Sequence, residues 1–265
     1  MNEFERYKQN FCKWFVAGVL PHTAWRTRIN EGSKEKIEEI KDLVHNQRQD
    51  LSVIIYFNHT SIIDPLFAGN IAQRIDKKGT RKLLAPMSFS NTEDRKENKW
   101  NLLMKGVVEK CGIETHRVIQ SYQIDNPEYG YTKIQAYRQN KPFFQCLKDL
   151  GTQKIPTMMI ISPEGHRTKG ALIKGEEGMV AGGVLITPVL YVLVGIEYIG
   201  GTKKDGLNLF KRVNLTIGET YLLETNTDCK NIFGEILMPN LANTLPVEMR
   251  GYYRKDLIGV PEIRK

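Results

Sequence analysis

The sequence has few cysteines and no long apolar run, and each scarcity narrows the possible classes of protein. Only four cysteines occur in 265 residues, at Cys12, Cys111, Cys146 and Cys229. None forms a Cys-x-x-Cys pattern, so we expect neither a disulfide framework nor a zinc site. We expect reduced thiols in a cytosolic setting. The longest nearly apolar runs, 14–20 and 184–196, fall short of the roughly 18 to 20 residues that a spanning helix needs. We therefore expect no transmembrane helix.

What the sequence does have is an excess of positive charge. Lys and Arg number 38 against 30 Asp and Glu, which gives a formal net charge of +8. This excess favours anionic partners: phosphate-bearing small molecules, anionic membrane surfaces or nucleic acid. We find no nucleic-acid motif and no interleaving of aromatic and basic residues, so we expect no nucleic-acid partner.

Strand-like and helix-like patterns alternate along the chain. Short β-branched or apolar runs predict strands at 51–57, 156–162, 184–196 and 212–220, with a further strand from 81–87. Helical spacing predicts helices over 33–49, 65–75 and 131–150, and a closing helix near 245–257. This alternation predicts an α/β fold with a mixed β-sheet core covered by helices, and with the chemistry in loops at strand ends.

The N-terminal segment is rich in aromatic residues. Glu3 and Glu5 and the lack of a small-residue cleavage site argue against a signal peptide. We expect a short helix, broken at Pro21, that lies in the membrane interface; packing of this helix on the core is the alternative. Accordingly we divide the chain into an N-terminal helical segment, 1–45, and one domain over 46–265.

The stretch YFNHTSIIDPLF places His59 just after a predicted strand and Asp64 five positions later. Five positions on a regular helix rotate a side chain by about 140°, so the two groups meet only if the chain bends between them. Asp64 precedes Pro65, which favours Asp64 as the N-cap of the next helix. An imidazole paired with a carboxylate can act as a general base. The alternative is a helix-capping aspartate beside an unremarkable loop histidine.

A second group of chemically competent residues follows the strand at 156–162, in ISPEGHRTKG. Here Pro163, Glu164, Gly165 and Arg167 bring together a carboxylate, a flexible backbone position and a guanidinium. Arginine suits bidentate contact with phosphate, and glutamate can accept hydrogen bonds from hydroxyls. A surface turn with an ion pair is the alternative.

These two blocks, in this order and about 100 residues apart, resemble the glycerolipid acyltransferase family, whose best-known members acylate lysophosphatidic acid. Five ordered blocks carry the resemblance between about residue 51 and 220. The matching residues are Asn58, His59, Ser61 and Asp64, then Gly112 and Arg117, then Pro163, Glu164, Gly165 and Arg167, then Lys174 and Gly175, and Pro188 in ITPVLYV. The stretch LTIGET resembles a late strand and turn of the family. Ser162 and His166 depart from the usual Phe and Thr.

The resemblance implies an acyltransferase of phospholipid biosynthesis. It would move a fatty acyl group from an acyl thioester, either acyl-CoA or acyl carrier protein, to the hydroxyl of a glycerol-phosphate lipid such as lysophosphatidic acid. It implies His59 as general base and Asp64 as its orienting partner, with no metal and no cofactor beyond the acyl donor. The implied substrate-binding residues are Arg117 and Arg167 for the acceptor phosphate, Glu164 and Gly165 for its glycerol part, and Asn58, Ser61, Lys174 and Pro188 around them.

The sequence leaves other details open. Backbone amides near His59 or Gly165 are the candidate oxyanion donors. His116 and His166 are interpreted as site-lining or structural. We expect peripheral attachment to an anionic membrane surface on the cytoplasmic side. Two alternatives remain: an acyltransferase for a sugar lipid, an amine or another alcohol, and a catalytically inert lipid-binding relative.

Overall fold

The structure is a computed structural model that describes residues 12, 14–88, 106, 108–165, 167–168, 170–176, 182–201, 208–224 and 231–254. Its helices are α1 (Leu20–Trp25), α2 (Glu31–Asp42), α3 (Asp64–Ile75), α4 (Lys133–Thr152) and α5 (Met238–Asn243). π-helical turns adjoin three of them, at Trp14–Val19, Leu43–Gln47 and Ile232–Leu237. Short 3-10 turns occur at Ser121–Gln123, Val247–Met249 and Gly251–Tyr253.

One eight-stranded sheet forms the centre of the described structure. Its strands are β1 (Thr27–Ile29), β2 (Ser52–Phe57), β3 (Lys82–Ser88), β4 (Glu114–Val118), β5 (Thr157–Ile161), β6 (Val189–Tyr198), β7 (Val213–Ile217) and β8 (Tyr221–Leu223). The strand order is β1-β7-β6-β2-β5-β3-β4, with β8 also paired to β6. The pairings of β6 with β7 and β8 are antiparallel and the others are parallel. The predicted mixed α/β fold is therefore confirmed.

The central strands are apolar on both faces because helices cover both. β2 and β5 are buried along their whole length, as is typical of the middle of a parallel sheet. On one face, Val53 and Ile55 pack against α2 and α3. On the other face, Ile54 and Tyr56 pack in a cluster with residues of α4 and α5.

This topology brings several strand ends to one place. Strands β2, β3, β4, β5 and β6 run in the same direction, so their carboxyl ends meet along one edge of the sheet. We call this edge the carboxyl edge. In open α/β sheets, ligands bind at the loops that follow the carboxyl ends of the strands. Both sequence blocks, at His59 and at Glu164, begin there.

Three local predictions need correction. Pro21 does not break the N-terminal helix, because it lies in the first turn of α1, where the missing N–H is not required. Asp64 is the first residue of α3 rather than its N-cap, which is Ile63. The closing helix near 245–257 is replaced, over its described part, by the two 3-10 turns around Met249 and Tyr252.

The described helices include none that is both long enough and apolar enough to cross a bilayer. The described part of the N-terminal segment contacts the core through Val16, Leu20, Ala24 and Trp25. Residues 1–11 of that segment lie outside the described residues.

Candidate active site

The imidazole of His59 meets the carboxylate of Asp64 at the carboxyl edge. His59 Nδ1 lies 3.2 Å from Asp64 Oδ2, and the His59 side chain keeps 18% of its surface exposed. The chain bends between the two residues because β2 ends at Phe57 and α3 begins at Asp64. A carboxylate that accepts from Nδ1–H leaves Nε2 with its lone pair, the form that a general base needs.

Asp64 is fully buried, and its charge is compensated by surrounding donors. The backbone N–H groups of Thr60 and Ser61 both donate to Oδ2 at 2.6 Å. The other oxygen, Oδ1, accepts from the hydroxyl of Tyr198 at 2.5 Å. With His59, four donors fix the carboxylate, which in turn fixes the orientation of the imidazole. The ring of Phe57 packs edge-on against His59, with centroids 5.8 Å apart.

Glu164 joins the second sequence block to the first. Its Oε2 accepts the backbone N–H of His59 at 2.7 Å, and its Oε1 accepts the backbone N–H of Ile173 at 3.2 Å. The backbone N–H of Thr168 donates to the carbonyl of His59 at 2.7 Å, a second link between the loops. The loop after β5 is therefore fastened directly to the residue proposed as the base.

Burial raises the pKa of Glu164 to about 8, although its two backbone hydrogen bonds act to lower it. The carboxyl is therefore mostly protonated at neutral pH. Because both oxygens accept backbone N–H groups within the protein, Glu164 holds two loops together. The resemblance had implied a direct contact with the glycerol part of the acceptor, and that role stays a prediction.

The amides nearest His59 are already used. The N–H of His59 donates to Glu164, and those of Thr60 and Ser61 donate to Asp64. The N–H of Gly165 donates to the carbonyl of Ser162 at 3.2 Å. These four amides, among the described residues, each already have an acceptor within the protein.

The other predicted residues of the first block are structural in their contacts. Asn58 is buried, and its amide both donates to and accepts from the backbone of Ile196 on β6, at 3.0 and 2.7 Å. Ser61 is also buried, and its hydroxyl accepts from Asn208 Nδ2 at 2.8 Å. Both residues hold the strand end and the loop that carry His59.

The predicted basic residues lie at different distances from the base. Arg167 is half-buried and directly precedes Thr168, which bonds to His59. Lys174 is exposed and follows Ile173, which bonds to Glu164. Arg117 is exposed near the end of β4, three strands away from β2, a separation of roughly 14 Å at the usual strand spacing.

Pro188 is not brought to this site. It directly precedes β6, and its carbonyl accepts the N–H of Ser52, the first residue of β2. His59 follows the opposite end of β2, which is roughly 17 Å away along an extended strand. The expectation that Pro188 shapes the site is therefore corrected: the proline lies where the strands begin.

Glycine is required at Gly165 and Gly175 for different reasons. Gly165 has φ of +73°, a left-handed conformation that glycine adopts without steric cost. At Gly175 a β-carbon would lie 2.6 Å from Cζ of Phe233, so the backbone can approach only without a side chain. The N–H of Gly175 donates to the hydroxyl of Tyr253 at 3.0 Å.

Two cavities flank the site on opposite faces of the sheet. One, of about 330 Å³, runs beside α3 and is lined by Pro65, Leu66 and Gly69, with Ile160 of β5. It begins next to Asp64 and extends to the end of α3. The other, of about 210 Å³, lies beside α4 and is lined by Phe143, among other residues.

Within the described residues one group of potential metal ligands comes together, at Glu114, His116 and Cys146. The ammonium of Lys82 already pairs with Glu114 at 2.8 Å. Burial lowers the pKa of His116 and raises that of the Cys146 thiol. A neighbouring ammonium and a disfavoured thiolate oppose metal binding, so we assign no metal here. His116 packs on the ring of Phe143, with centroids 5.2 Å apart, which is a structural role.

Sequence reasoning missed Tyr198 and Asn208. Neither lies in a recognisable motif. Tyr198 reaches the site because β6 pairs with β2 and ends at the same edge, and Asn208, between β6 and β7, donates to Ser61. His166 lies outside the described residues. Among the described residues, Cys12, Cys111 and Cys146 are not in disulfide bonds, and Cys229 lies outside that part of the chain.

Comparison with known proteins gives a distant structural match. Neither a family model nor a curated protein matches this sequence. Among solved structures, the chain is similar to the crystal structure of the 1-acyl-sn-glycerophosphate (LPA) acyltransferase PlsC from Thermotoga maritima, with 14% identity and a TM-score of 0.42. The match covers 92% of this chain and 98% of that one. Function must therefore be argued from the residues of the site.

Proposed function

We propose that this protein is an acyltransferase that moves a fatty acyl group from an acyl thioester to the hydroxyl of a glycerol-phosphate lipid such as lysophosphatidic acid. The observation that carries the proposal is the pair formed by His59 and Asp64 at the carboxyl edge, 3.2 Å apart and tied to the loop of Glu164. The ordered sequence blocks around these residues support the same reaction.

In the proposed mechanism, His59 acts on the acceptor. Nε2 takes the proton from the acceptor hydroxyl while the hydroxyl oxygen attacks the thioester carbonyl. The tetrahedral intermediate collapses to the ester and expels the thiolate, which receives the proton from the imidazolium. Asp64 holds the imidazole in place throughout. No covalent acyl-enzyme is needed.

Charge and the cavity beside α3 support one placement of the substrates. Arg167, next to the segment bonded to His59, would bind the acceptor phosphate, and Arg117 and Lys174 would add positive charge around it. The apolar side of the cavity beside α3 starts at Pro65 and Leu66, directly after Asp64. It would hold the acyl chain of the donor, acyl-CoA or acyl carrier protein. The enzyme would work at the cytoplasmic face of a membrane as a peripheral protein.

The test is thiol release from a panel of acyl-CoA donors and an acyl carrier protein donor, with lysophosphatidic acid or glycerol 3-phosphate as acceptor. We expect activity that falls by about 10² or more in His59→Ala, because a positioned base contributes roughly that factor. His45→Ala, at a histidine whose ring bonds to the Ile75 carbonyl, is the control. Equal activity of wild type and His59→Ala would refute the assigned base.

The same assay separates the acceptor classes. Arg167→Ala should raise KM for a phosphate-bearing acceptor and leave KM for a matched acceptor without phosphate unchanged. Activity only with a sugar lipid, an amine or another alcohol would replace the glycerol-phosphate acceptor. No activity with any donor and acceptor would favour an inert lipid-binding relative.

A further inference from the structure

A basic and apolar rim borders the candidate site where β6 turns into β7. Phe210 is 74% exposed, Leu209 47% and Ile199 42%. Arg26 and Arg212 are exposed beside them. We call these five residues the docking rim.

The rim is held together by the backbone. The N–H of Ile199 donates to the carbonyl of Arg212, and the N–H of Phe210 donates to the carbonyl of Ala24. Because Thr27 pairs with Val213 in a parallel ladder, Arg26 and Arg212 occupy equivalent positions just before β1 and β7. These links make the five exposed residues close neighbours along the backbone.

Phe210 has two unfavourable features, its backbone conformation and the exposure of its ring. Phe210 has φ of +62°, a left-handed conformation that is unfavourable for a bulky residue. Conformations of this kind persist where the surrounding structure imposes them, often at functional sites. Here the residue also leaves most of its ring in water. A strained residue with an unburied aromatic side chain points to a partner that covers it.

The rim lies next to the proposed catalytic groups. Asn208, which directly precedes Leu209, donates to the hydroxyl of Ser61 at 2.8 Å. The N–H of Ser61 in turn donates to Asp64. A surface that touches the rim is therefore close to the loop that holds His59 and Asp64.

We propose that the docking rim inserts into the interface of an anionic lipid bilayer and presents the candidate site to lipids in that bilayer. This inference rests on the proposed function for the nature of the acceptor. Exposed aromatic and aliphatic side chains suit the region between headgroups and acyl chains, and the guanidinium groups suit anionic headgroups. In the described N-terminal segment, Val16, Leu20, Ala24 and Trp25 pack on the core, whereas Phe15 is 44% exposed.

The test uses the full chain and sedimentation with vesicles of phosphatidylcholine, with and without phosphatidylglycerol. The variant combines Leu209→Ser with Phe210→Asn, since asparagine tolerates the left-handed conformation. We expect its binding to anionic vesicles to be weaker by about tenfold or more, because two large apolar side chains no longer enter the interface. Arg26→Gln with Arg212→Gln should weaken binding to anionic vesicles and leave binding to neutral vesicles unchanged.

The matched control is Leu222→Ser. Leu222 is 37% exposed on β8, which pairs with the start of β6 at the far end of the sheet from His59. This variant should bind vesicles like wild type, and unchanged circular dichroism and thermal unfolding should verify that each variant is folded. Unchanged vesicle binding by the folded Leu209 and Phe210 variant would overturn the proposal. Loss of binding to an acyl carrier protein, with vesicle binding intact, would assign the rim to a protein partner and also overturn it.

Activity measurements keep this inference separate from the proposed function. With a short-chain acceptor in free solution, the Leu209 and Phe210 variant should match wild type, whereas with the acceptor in vesicles it should be slower by about the factor lost in binding. If wild type is inactive on both acceptors, the proposed function fails. Vesicle sedimentation still decides whether the rim binds a bilayer.

Discussion

Tyr198 donates its hydroxyl hydrogen to Asp64 Oδ1 at 2.5 Å, from the last residue of one strand to the first residue of a helix 134 positions earlier. Burial and the adjacent carboxylate raise the pKa of Tyr198 well above its ordinary value, so the phenol stays a donor. The carboxylate that orients His59 is thus itself oriented by a residue outside both sequence blocks. Through this contact Tyr198 would position the proposed catalytic pair.

The first prediction concerns this hydrogen bond. Tyr198→Phe should lower kcat about tenfold or more and leave KM for the acyl donor within about twofold, because a hydrogen bond to a charged group contributes roughly 1.5 to 3 kcal/mol. Steady-state kinetics on purified protein separate the change in kcat from the change in KM. Tyr137→Phe, at a tyrosine that is 70% exposed, is the control. Equal losses in both variants, or a rise in KM alone, would contradict the positioning role.

The second prediction treats His59 and Asp64 as one unit. Asp64→Asn should reduce kcat by about 10² or more, since an amide cannot stabilise the imidazolium as a carboxylate does. The double variant with His59→Ala should be no slower than His59→Ala alone, because residues that act together have non-additive effects. If the loss of kcat in the double variant equalled the product of the two single losses, the two residues would act independently.

The third prediction concerns the pH dependence of stability. The folded-state pKa of Glu164 is raised from 4.5 to about 8, so the folded protein keeps a proton that the unfolded chain releases. Its contribution to the free energy of unfolding is therefore complete below 4.5 and is lost as pH rises towards about 8. Denaturant unfolding at several pH values should show that the free energy of unfolding of wild type falls relative to that of Glu164→Gln as pH rises across this range.

Glu219→Gln is the control for Glu164→Gln. The Glu219 side chain is 77% exposed, so this substitution should leave the pH dependence of the unfolding free energy close to that of wild type. If wild type and Glu164→Gln gave parallel stability curves between the two pH limits, the raised pKa would be refuted.

The fourth prediction concerns the close approach at Gly175. Gly175→Ala should lower the free energy of unfolding by about 1 to 3 kcal/mol, because the new β-carbon would lie 2.6 Å from Phe233 Cζ and 3.0 Å from Met238 Sδ. Gly234→Ala is the matched control, since no heavy atom lies within 4 Å of its β-carbon position. Chemical denaturation compares the two. An equal or smaller effect at Gly175 would show that Phe233 and Met238 move aside freely.

Local sequence was sufficient for the elements that carry strong periodicity. The strands at 52–57 and 157–161 and the helix at 64–75 were predicted to within two residues, because buried strands and amphipathic helices each leave a local pattern. The closing helix predicted near 245–257 was wrong over its described part, where Val247 and Tyr252 are exposed. Local patterns do not report which face another element will cover.

The sequence by itself determined that His59 follows a strand, that Asp64 follows a bend, and that a Glu-Gly-x-Arg loop leaves a second buried strand. These are local properties of spacing and residue type. Only the tertiary structure decided that Tyr198 and Asn208 reach this site, that Glu164 bonds to His59, and that Pro188 lies at the far end of β2. The reason is physical: strand order and register arise from long-range pairing and packing, and no local stretch of the chain encodes which strand ends will meet.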